Sequence, residues 1–230
     1  MRDARVGLLH LAFHEYTAAI ASALSTKVDL TVLHPVQQVD HIRPVLPAGV
    51  KTKVFNKPRF RDPSNIFAMR SLVRQLREFD LIHVQQSGDP WVDLALGASV
   101  AKKTVVTVHD VVPHSGDGDR IPGSFQARRM LHSRAAGLIV HTESMAEQLR
   151  EETAAPIAVI PHPSTRGSFV PPNRAVVREP RNRSQVLFFG RIWPYKGLDL
   201  LIDAMYKVIE KVPDASLVIA GRGDLSLIHI

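Results

Sequence analysis

The segment QVLFFGRIWPYKGLDLLIDAMYKVIEKVPDASLVIAGRGD occupies residues 185–224 and decides the fold. Its first apolar run ends at Gly190 and predicts a strand buried on both faces. Apolar residues then recur at steps of three and four, which predicts one face of a helix that stops at Pro213. A second apolar run, Leu217 to Ala220, predicts another strand. The segment is therefore a βαβ unit with parallel strands and a right-handed crossover. The predicted apolar helix face consists of Leu198, Leu201, Ile202, Met205, Val208, Ile209 and Val212.

The connection between the first strand and the helix contains two cations framed by glycines, namely Gly190, Arg191, Lys196 and Gly197. Unpaired N–H groups at a helix start attract anions, and open α/β sheets bind ligands at the carboxyl ends of their strands. The planar fork of Arg191 and the point charge of Lys196 could converge on a diphosphate. From these residues alone, a loop with two solvated cations is an equal alternative.

The motifs FFGRIWPYKGLDLLIDAM and VIAGRGD together resemble the donor-binding half of the retaining family 4 glycosyltransferases. That family has the GT-B fold, in which two Rossmann-like domains face each other. The resemblance implies that Arg191 and Lys196 hold the donor's pyrophosphate, with Gly190 and Gly197 in the same diphosphate-binding turn. It also assigns Gly221 to the nucleotide side. Gly223 belongs to that same nucleotide-side loop.

The same resemblance implies a reaction. A sugar would pass from a nucleotide-diphosphate sugar to an acceptor with retention, by front-face attack in which the departing phosphate accepts the proton. Two cations already lie where the diphosphate charge develops, so neither a metal nor another cofactor is expected. The expected partners are the sugar nucleotide donor and a saccharide, lipid-linked or small-molecule acceptor.

Composition narrows the class of protein. The 230 residues are 45% hydrophobic, contain no cysteine and carry a formal net charge of +7. The charge favours anionic partners such as nucleotide phosphates or anionic lipid headgroups, unless an absent acidic segment cancels it. No apolar run suits a membrane span or a leader, so a cytoplasmic location is expected, with peripheral membrane contact as an option. Nucleic acid is disfavoured because no binding module accompanies the arginines.

Alternating strand and helix patterns before residue 172, without two-residue hairpin turns, predict a doubly wound, mostly parallel α/β sheet. The predicted organisation is a complete Rossmann-like acceptor-side domain at 1–172 and a proline- and arginine-rich linker at 173–184. The start of a donor-binding domain follows at 185–224. Residues 225–230 (LSLIHI) resemble the translation of a sequencing-library end, and they are expected to be non-native.

Candidate site residues in the first domain lie at strand ends and at one helix start. The segment TVHD ends a predicted strand at Thr104–Asp110, and the resemblance makes His109 the catalytic-site candidate, facing the transferred sugar or its phosphate. A turn at Phe13–Thr17 before a helix from Ala18 offers His14, Glu15 and Tyr16 as acceptor-side candidates. Packing or capping is the alternative for His14 and Tyr16.

Other functional assignments compete with this one. His114, Asp117 and Asp119 are read as solvated polar residues and not as a metal site. Relatives are expected to have two glutamates further along the donor domain, so the chain is interpreted as a truncated fragment that is inactive alone. The alternatives are another GT-B or Rossmann enzyme, such as a sugar-nucleotide epimerase, or a non-catalytic nucleotide-sugar-binding fragment. A nicotinamide-dependent oxidoreductase is disfavoured because no G-x-G-x-x-G opens the first helix.

Overall fold

The computed structural model describes residues 4–112, 121–163 and 184–223, and these residues belong to two units. The first unit contains 4–112 and 121–163, and the second contains 184–223. The predicted linker, except Ser184, lies outside the described residues. So do the predicted tail and the polar segment with His114, Asp117 and Asp119.

The first unit is built on a seven-stranded sheet in the order β3-β2-β1-β4-β5-β6-β7, in which every pair is parallel. This order reverses direction between β1 and β4, as in a doubly wound Rossmann-like sheet, and the predicted fold class is confirmed. The strands are β1 Arg5–Leu9, β2 Asp29–Pro35, β3 Lys51–Phe55, β4 Leu81–Gln85, β5 Thr104–Thr107, β6 Gly137–Val140 and β7 Ile157–Val159.

Helices connect these strands, and α4 and α6 each begin after a polar residue whose side chain caps the helix. Asp89 accepts hydrogen bonds from the backbone N–H groups of Trp91 and Val92, and Thr142 accepts one from Met145. Such caps satisfy donors that have no partner inside the helix. The helices are α1 His14–Ser25, α2 Val39–Ile42, α3 Asn65–Leu76, α4 Pro90–Ser99, α5 Ser124–Arg134 and α6 Glu143–Arg150.

The sheet is buried on both faces, because neighbouring residues of one strand enter different apolar clusters. Leu9 belongs to a large cluster with residues of α3, α4, α5 and α6, whereas Leu8 packs in a smaller cluster with Ala21 of α1. Both leucines are fully buried. Successive side chains of a strand point to opposite faces, so helices must cover both faces of this sheet.

The second unit contains β8 Gln185–Phe189, α7 Leu198–Lys211 and β9 Ser216–Ala220, and its two strands are parallel. The predicted βαβ unit is therefore confirmed. The prediction of a strand buried on both faces is wrong for the described residues, because Leu187 is 62% and Phe189 83% exposed. One helix can cover only one face of a two-stranded sheet. Leu198 and Met205 on α7 are buried, whereas Val208, Ile209 and Val212 remain partly exposed.

Three local predictions for the first unit need correction. Helix α1 begins at His14 and not at Ala18, so His14, Glu15 and Tyr16 lie in its first turn. Strand β5 ends at Thr107, and His109 lies beyond it. The apolar repeat of Ile66, Met69, Leu72, Val73 and Leu76 predicts one buried face for α3, but Ile66 is 47% exposed. Among the described residues, none of the helices has the length and apolar character needed to cross a bilayer.

Candidate functional site

The carboxyl ends of the seven parallel strands meet at one edge of the sheet, where an open α/β sheet binds its ligands. The residues that follow β1, β4, β5, β6 and β7 all come to this edge. They bring together two of the predicted acceptor-side residues, His14 and Tyr16, and the predicted catalytic residue His109. Topology, not sequence distance, places them near one another.

His109 lies just after β5, in a loop that the Gln86 side chain fixes. Gln86 Oε1 accepts hydrogen bonds from the backbone N–H groups of His109 and Asp110, at 3.0 and 3.1 Å. The His109 ring donates from Nε2 to Gln85 Oε1 at 3.2 Å. Burial, followed by the nearby rings of His141, His162 and His83, lowers the pKa of His109 to about 4. His109 is therefore neutral at pH 7 and can accept a proton or a ligand at Nδ1.

A chain of hydrogen bonds joins His109 to the start of α1. Gln85 donates from Nε2 to Thr17 Oγ1 at 2.5 Å, and Thr17 Oγ1 shares a hydrogen bond of 2.8 Å with His10 Nδ1. A further hydrogen bond of 2.9 Å joins His10 Nε2 to His14 Nδ1. A hydroxyl can donate or accept, so the directions of the last two bonds follow the tautomers of the His10 and His14 rings. Sequence reasoning missed His10, Thr17 and Gln85, which look like ordinary strand and helix residues.

Tyr16 is buried beneath the rings of this edge. Its ring contacts His109 edge-on, with centroids 4.9 Å apart, and its hydroxyl hydrogen-bonds to Thr107. Burial raises the pKa of the Tyr16 hydroxyl, and the Thr107 bond opposes this shift. Tyr16 thus supports the His109 ring from within the core, whereas Glu15 is exposed and His14 half-buried.

Phe13 precedes α1 in a left-handed backbone conformation, with φ of 61°, and it is the one described non-glycine residue with positive φ. A bulky side chain pays roughly 1–2 kcal/mol for this conformation. The Phe13 ring lies with its centroid 4.2 Å from that of His109 and is 45% exposed. The strained turn thus packs the Phe13 ring against His109. The sequence analysis did not predict this contact.

Two further histidines join the same edge. His141 follows β6 and His162 lies beyond β7, and their ring centroids are 5.3 and 6.3 Å from the ring of His109. They also contact each other, at 5.0 Å. The sequence analysis assigns neither histidine a role. Only the pairing of β5 with β6 and of β6 with β7 brings these rings together.

In the second unit, the glycines of the predicted diphosphate turn adopt conformations that other residues rarely accept. Gly190 has φ of 147° and Gly197 has φ of 66°, and α7 begins directly after Gly197. A glycine at this position has no side chain to cap the helix, so the first-turn N–H groups can receive a ligand. Arg191 and Lys196 are both exposed and lie beside aromatic rings, those of Trp193 and Tyr195 respectively.

Gly221 and Gly223 lie where the backbone approaches the first loop of the same unit. Gly190 N–H donates to Ala220 O at 3.0 Å, and Ile192 N–H donates to Arg222 O at 2.9 Å. A Cβ atom at Gly221 would lie 1.8 Å from the carbonyl oxygen of Gly190. At Gly223 it would lie 2.1 Å from that of Ile192. Packing alone therefore demands glycine here, and the nucleotide-side role stays a prediction.

Replacing Gly221 with alanine in the complete protein should displace the Gly190 carbonyl and distort the diphosphate turn. Overpacking of this kind costs about 1–3 kcal/mol, so we expect a lower melting temperature and at least tenfold weaker donor binding. Gly137→Ala is the matched control, because its Cβ would meet only ordinary contact at 3.5 Å. Equal donor affinity in Gly221→Ala and the parent would contradict the packing argument.

The fold and the glycine-containing turns of the second unit define a class of protein. A doubly wound parallel sheet, followed by a βαβ unit with a cationic, glycine-framed turn, is the arrangement of a GT-B enzyme. The chain belongs to Glycosyltransferase Family 4, whose family model matches residues 14–163. A second model, Glycosyl transferases group 1, matches residues 170–227.

Individual proteins are similar in sequence or in fold. A phosphatidyl-myo-inositol mannosyltransferase of Mycobacterium tuberculosis H37Rv is 29% identical over 149 residues, 64% of this chain and 38% of that protein. The chain thus spans less than half the length of this curated relative. A UDP-GlcNAc 2-epimerase from Methanocaldococcus jannaschii gives a TM-score of 0.58 at 14% identity, covering 94% of this chain and 65% of its own. Anabaena HepE in complex with UDP and glucose gives 0.57 at 14% identity, covering 96% and 61%.

Proposed function

We propose that the complete protein transfers a sugar from a nucleotide-diphosphate sugar to an acceptor, with retention of the anomeric configuration. Family membership is the observation that supports this most, because matches to two glycosyltransferase models lie along residues 14–163 and 170–227. The name of one relative describes a mannosyltransferase, and a protein of similar fold is known in complex with UDP and glucose. A nucleotide-sugar donor agrees with both.

In the proposed mechanism, the turn between β8 and α7 holds the diphosphate. Arg191 can offer two parallel N–H groups to phosphate oxygens, while Lys196 supplies a compact positive charge. The N–H groups at the start of α7 add positive potential. These groups would stabilise the negative charge that develops on the leaving phosphate, which is the main electrostatic requirement of the transfer. No metal is needed for that charge in this mechanism.

His109 is proposed to contact the transferred sugar or its phosphate. Its Nε2–H is committed to Gln85, so the neutral Nδ1 is the atom available to accept a hydrogen bond from a sugar hydroxyl. The carboxyl edge of the seven-stranded sheet would supply the acceptor side, with His14 and Glu15 at the start of α1. Tyr16 would act on the site by supporting the His109 ring.

The acceptor is proposed to be a saccharide, a small molecule or a lipid-linked compound, and one feature of α3 suits the last of these. Three exposed arginines, Arg70 and Arg74 of α3 and Arg77 directly after it, line a cavity of about 450 Å³ together with Trp91 and Leu94. Each cation near an anionic lipid surface contributes about 1 kcal/mol of attraction. Peripheral membrane contact through this face of α3 is part of the proposal, as is a cytoplasmic location.

The 230-residue chain by itself is proposed to bind donor weakly and to be inactive. Hydrogen bonds to charged groups contribute about 1.5–3 kcal/mol each, so two of them give roughly 3–6 kcal/mol. Micromolar affinity requires about 8 kcal/mol. Activity should therefore be sought in the complete protein.

The deciding experiment incubates the complete protein with UDP- and GDP-sugars, with and without phosphatidylinositol vesicles or simple saccharides. We expect acceptor-dependent release of the nucleoside diphosphate. Proton NMR of the product should show the same anomeric configuration as the donor. Conversion of the donor into an isomeric sugar nucleotide without an acceptor would instead identify an epimerase, the alternative that the fold also allows. Donor binding without turnover would identify a binding protein.

A further inference from the structure

We propose that His109, His141 and His162 bind a divalent transition-metal cation, with Zn²⁺ the best match. Each histidine follows a different strand of the parallel sheet, and one nitrogen from each lies within 4.8 Å of the other two. Three imidazoles are the ligand set of many zinc sites that keep a fourth position open for water or substrate. This site belongs to the first unit, and it is not offered as a cofactor for the leaving diphosphate. His109 Nδ1 has one lone pair, so a bound cation and the sugar hydroxyl of the proposed function would compete for it.

Each of the three rings uses one nitrogen as a hydrogen-bond donor, and the lone pair of the other nitrogen remains available to a metal ion. His141 Nδ1 donates to Ile160 O at 2.9 Å, and His162 Nδ1 donates to Pro163 O at 2.9 Å. His109 Nε2 donates to Gln85 Oε1 at 3.2 Å. A carbonyl oxygen cannot donate, so the bonded nitrogen carries the proton in every ring and the other nitrogen is an acceptor. Metal-bound histidines are typically fixed in this way by a partner on the second nitrogen.

One of these acceptors has no partner although it is buried. His141 Nε2 is shielded from solvent and makes no hydrogen bond within the described residues. A buried polar atom without a partner costs about 1–3 kcal/mol, and it calls for a bound group. A cation among the three rings would satisfy this atom and would also explain why three imidazoles crowd together.

The chemistry of the ligands selects the metal. Neutral imidazole nitrogens suit Zn²⁺, Cu²⁺, Ni²⁺ and Fe²⁺, whereas Mg²⁺ and Ca²⁺ prefer oxygen ligands. Zinc–nitrogen bonds of about 2.0–2.1 Å bring tetrahedral ligand atoms to about 3.4 Å from one another. The rings must therefore close by an ångström or so on binding. His162 is exposed and lies beyond the end of β7, so it can move most easily.

The test uses untagged complete protein that has been stripped with a chelator and titrated with ZnCl₂ by calorimetry, and with CoCl₂ by visible absorption. We expect one ion per chain with micromolar or tighter affinity, and a cobalt spectrum of low coordination number. His162→Ala removes an exposed ligand, and it should weaken binding at least tenfold. Loss of a residue that only hydrogen-bonds to a metal ligand typically lowers metal affinity 10–100-fold. The double variant His141→Ala/His162→Ala should abolish saturable binding.

His41→Ala is the matched control, because His41 is an exposed histidine outside the three. It should leave zinc affinity unchanged. The proposal is overturned if the parent protein binds zinc no tighter than about 0.1 mM, or if the double variant binds as tightly as the parent. Both readouts are independent of sugar transfer, so their failure is distinct from failure of the proposed enzymatic function.

Discussion

Arg191→Ala in the complete protein is expected to lower kcat at least tenfold, and Lys196→Ala should do the same. Each substitution removes one of the proposed charge-assisted contacts to the leaving diphosphate, worth about 1.5–3 kcal/mol. At about 1.4 kcal/mol per factor of ten, this range corresponds to roughly 10- to 150-fold in rate. The loss should fall mainly on kcat, because negative charge on the leaving phosphate grows in the transition state.

The two cations should also differ in what can replace them. Arg191→Lys keeps the charge but loses the planar fork, so we expect it to recover only part of the rate. Lys207→Ala is the control, since Lys207 is an exposed cation of α7 outside the diphosphate turn. Steady-state kinetics with donor varied at saturating acceptor provides the measurement. If kcat is unchanged in both alanine variants, neither residue takes part in the mechanism.

Acidification from pH 7.5 to pH 4.5 is expected to destabilise the first unit by several kcal/mol. Burial, followed by His14 and His34, lowers the pKa of His10 to about 3. Burial, followed by Arg128, lowers the pKa of His132 to about 4. Both rings are almost completely buried, with exposed fractions of 0% and 5%. The unfolded chain therefore binds protons between pH 6.5 and 4 that the folded chain rejects.

The loss of stability at low pH follows from the difference in proton binding between the unfolded and the folded chain. A depressed histidine pKa gives stability that is complete above pH 6.5 and is lost as the pH falls toward 4. Each ring contributes on the order of 3 kcal/mol over this range, against a typical total of 5–15 kcal/mol. Urea unfolding followed by circular dichroism at several pH values gives the measurement.

A variant without one of the buried rings isolates its share of the pH dependence. His132→Gln should flatten the dependence of unfolding free energy on pH, whatever it does to stability at pH 7.5. His41→Gln serves as the exposed counterpart. Burial raises the pKa of the Asp93 carboxyl to about 7, which opposes the histidines as the pH falls. The deciding comparison is therefore between proteins: an equal pH dependence of the unfolding free energy in His132→Gln and in the parent would contradict the assignment of a buried, neutral His132.

The periodic parts of this fold could be predicted from sequence because their signals are local. The βαβ unit at residues 185–220 follows from runs of side chains that each have one period and a recognisable end. The errors occur where a local sequence pattern continues beyond the last residue that pairs in the sheet. The sequence pattern extends strand β5 to Asp110 because the residues remain suitable for a strand, but the hydrogen-bonded pairing of β5 ends at Thr107.

The candidate site residues also fall into two groups, those that a sequence motif identifies and those that only the tertiary structure brings together. Arg191, Lys196 and the glycines around them are adjacent in sequence, so a motif can identify them. His109 was found through its TVHD segment, whereas His141 and His162 have no motif that marks them. Their convergence depends on the register of β5, β6 and β7, and a register is set by pairing across the sheet.

Sequence by itself determined the alternation of strands and helices, the positive charge and the cationic turn before α7, because each depends on residues close together in the chain. Tertiary structure alone decided the order of the seven strands and the chain of hydrogen bonds from His109 to His14. It also decided the grouping of His109, His141 and His162. Those features join residues up to about a hundred positions apart, and only parallel pairing of the strands brings their carboxyl ends to one edge.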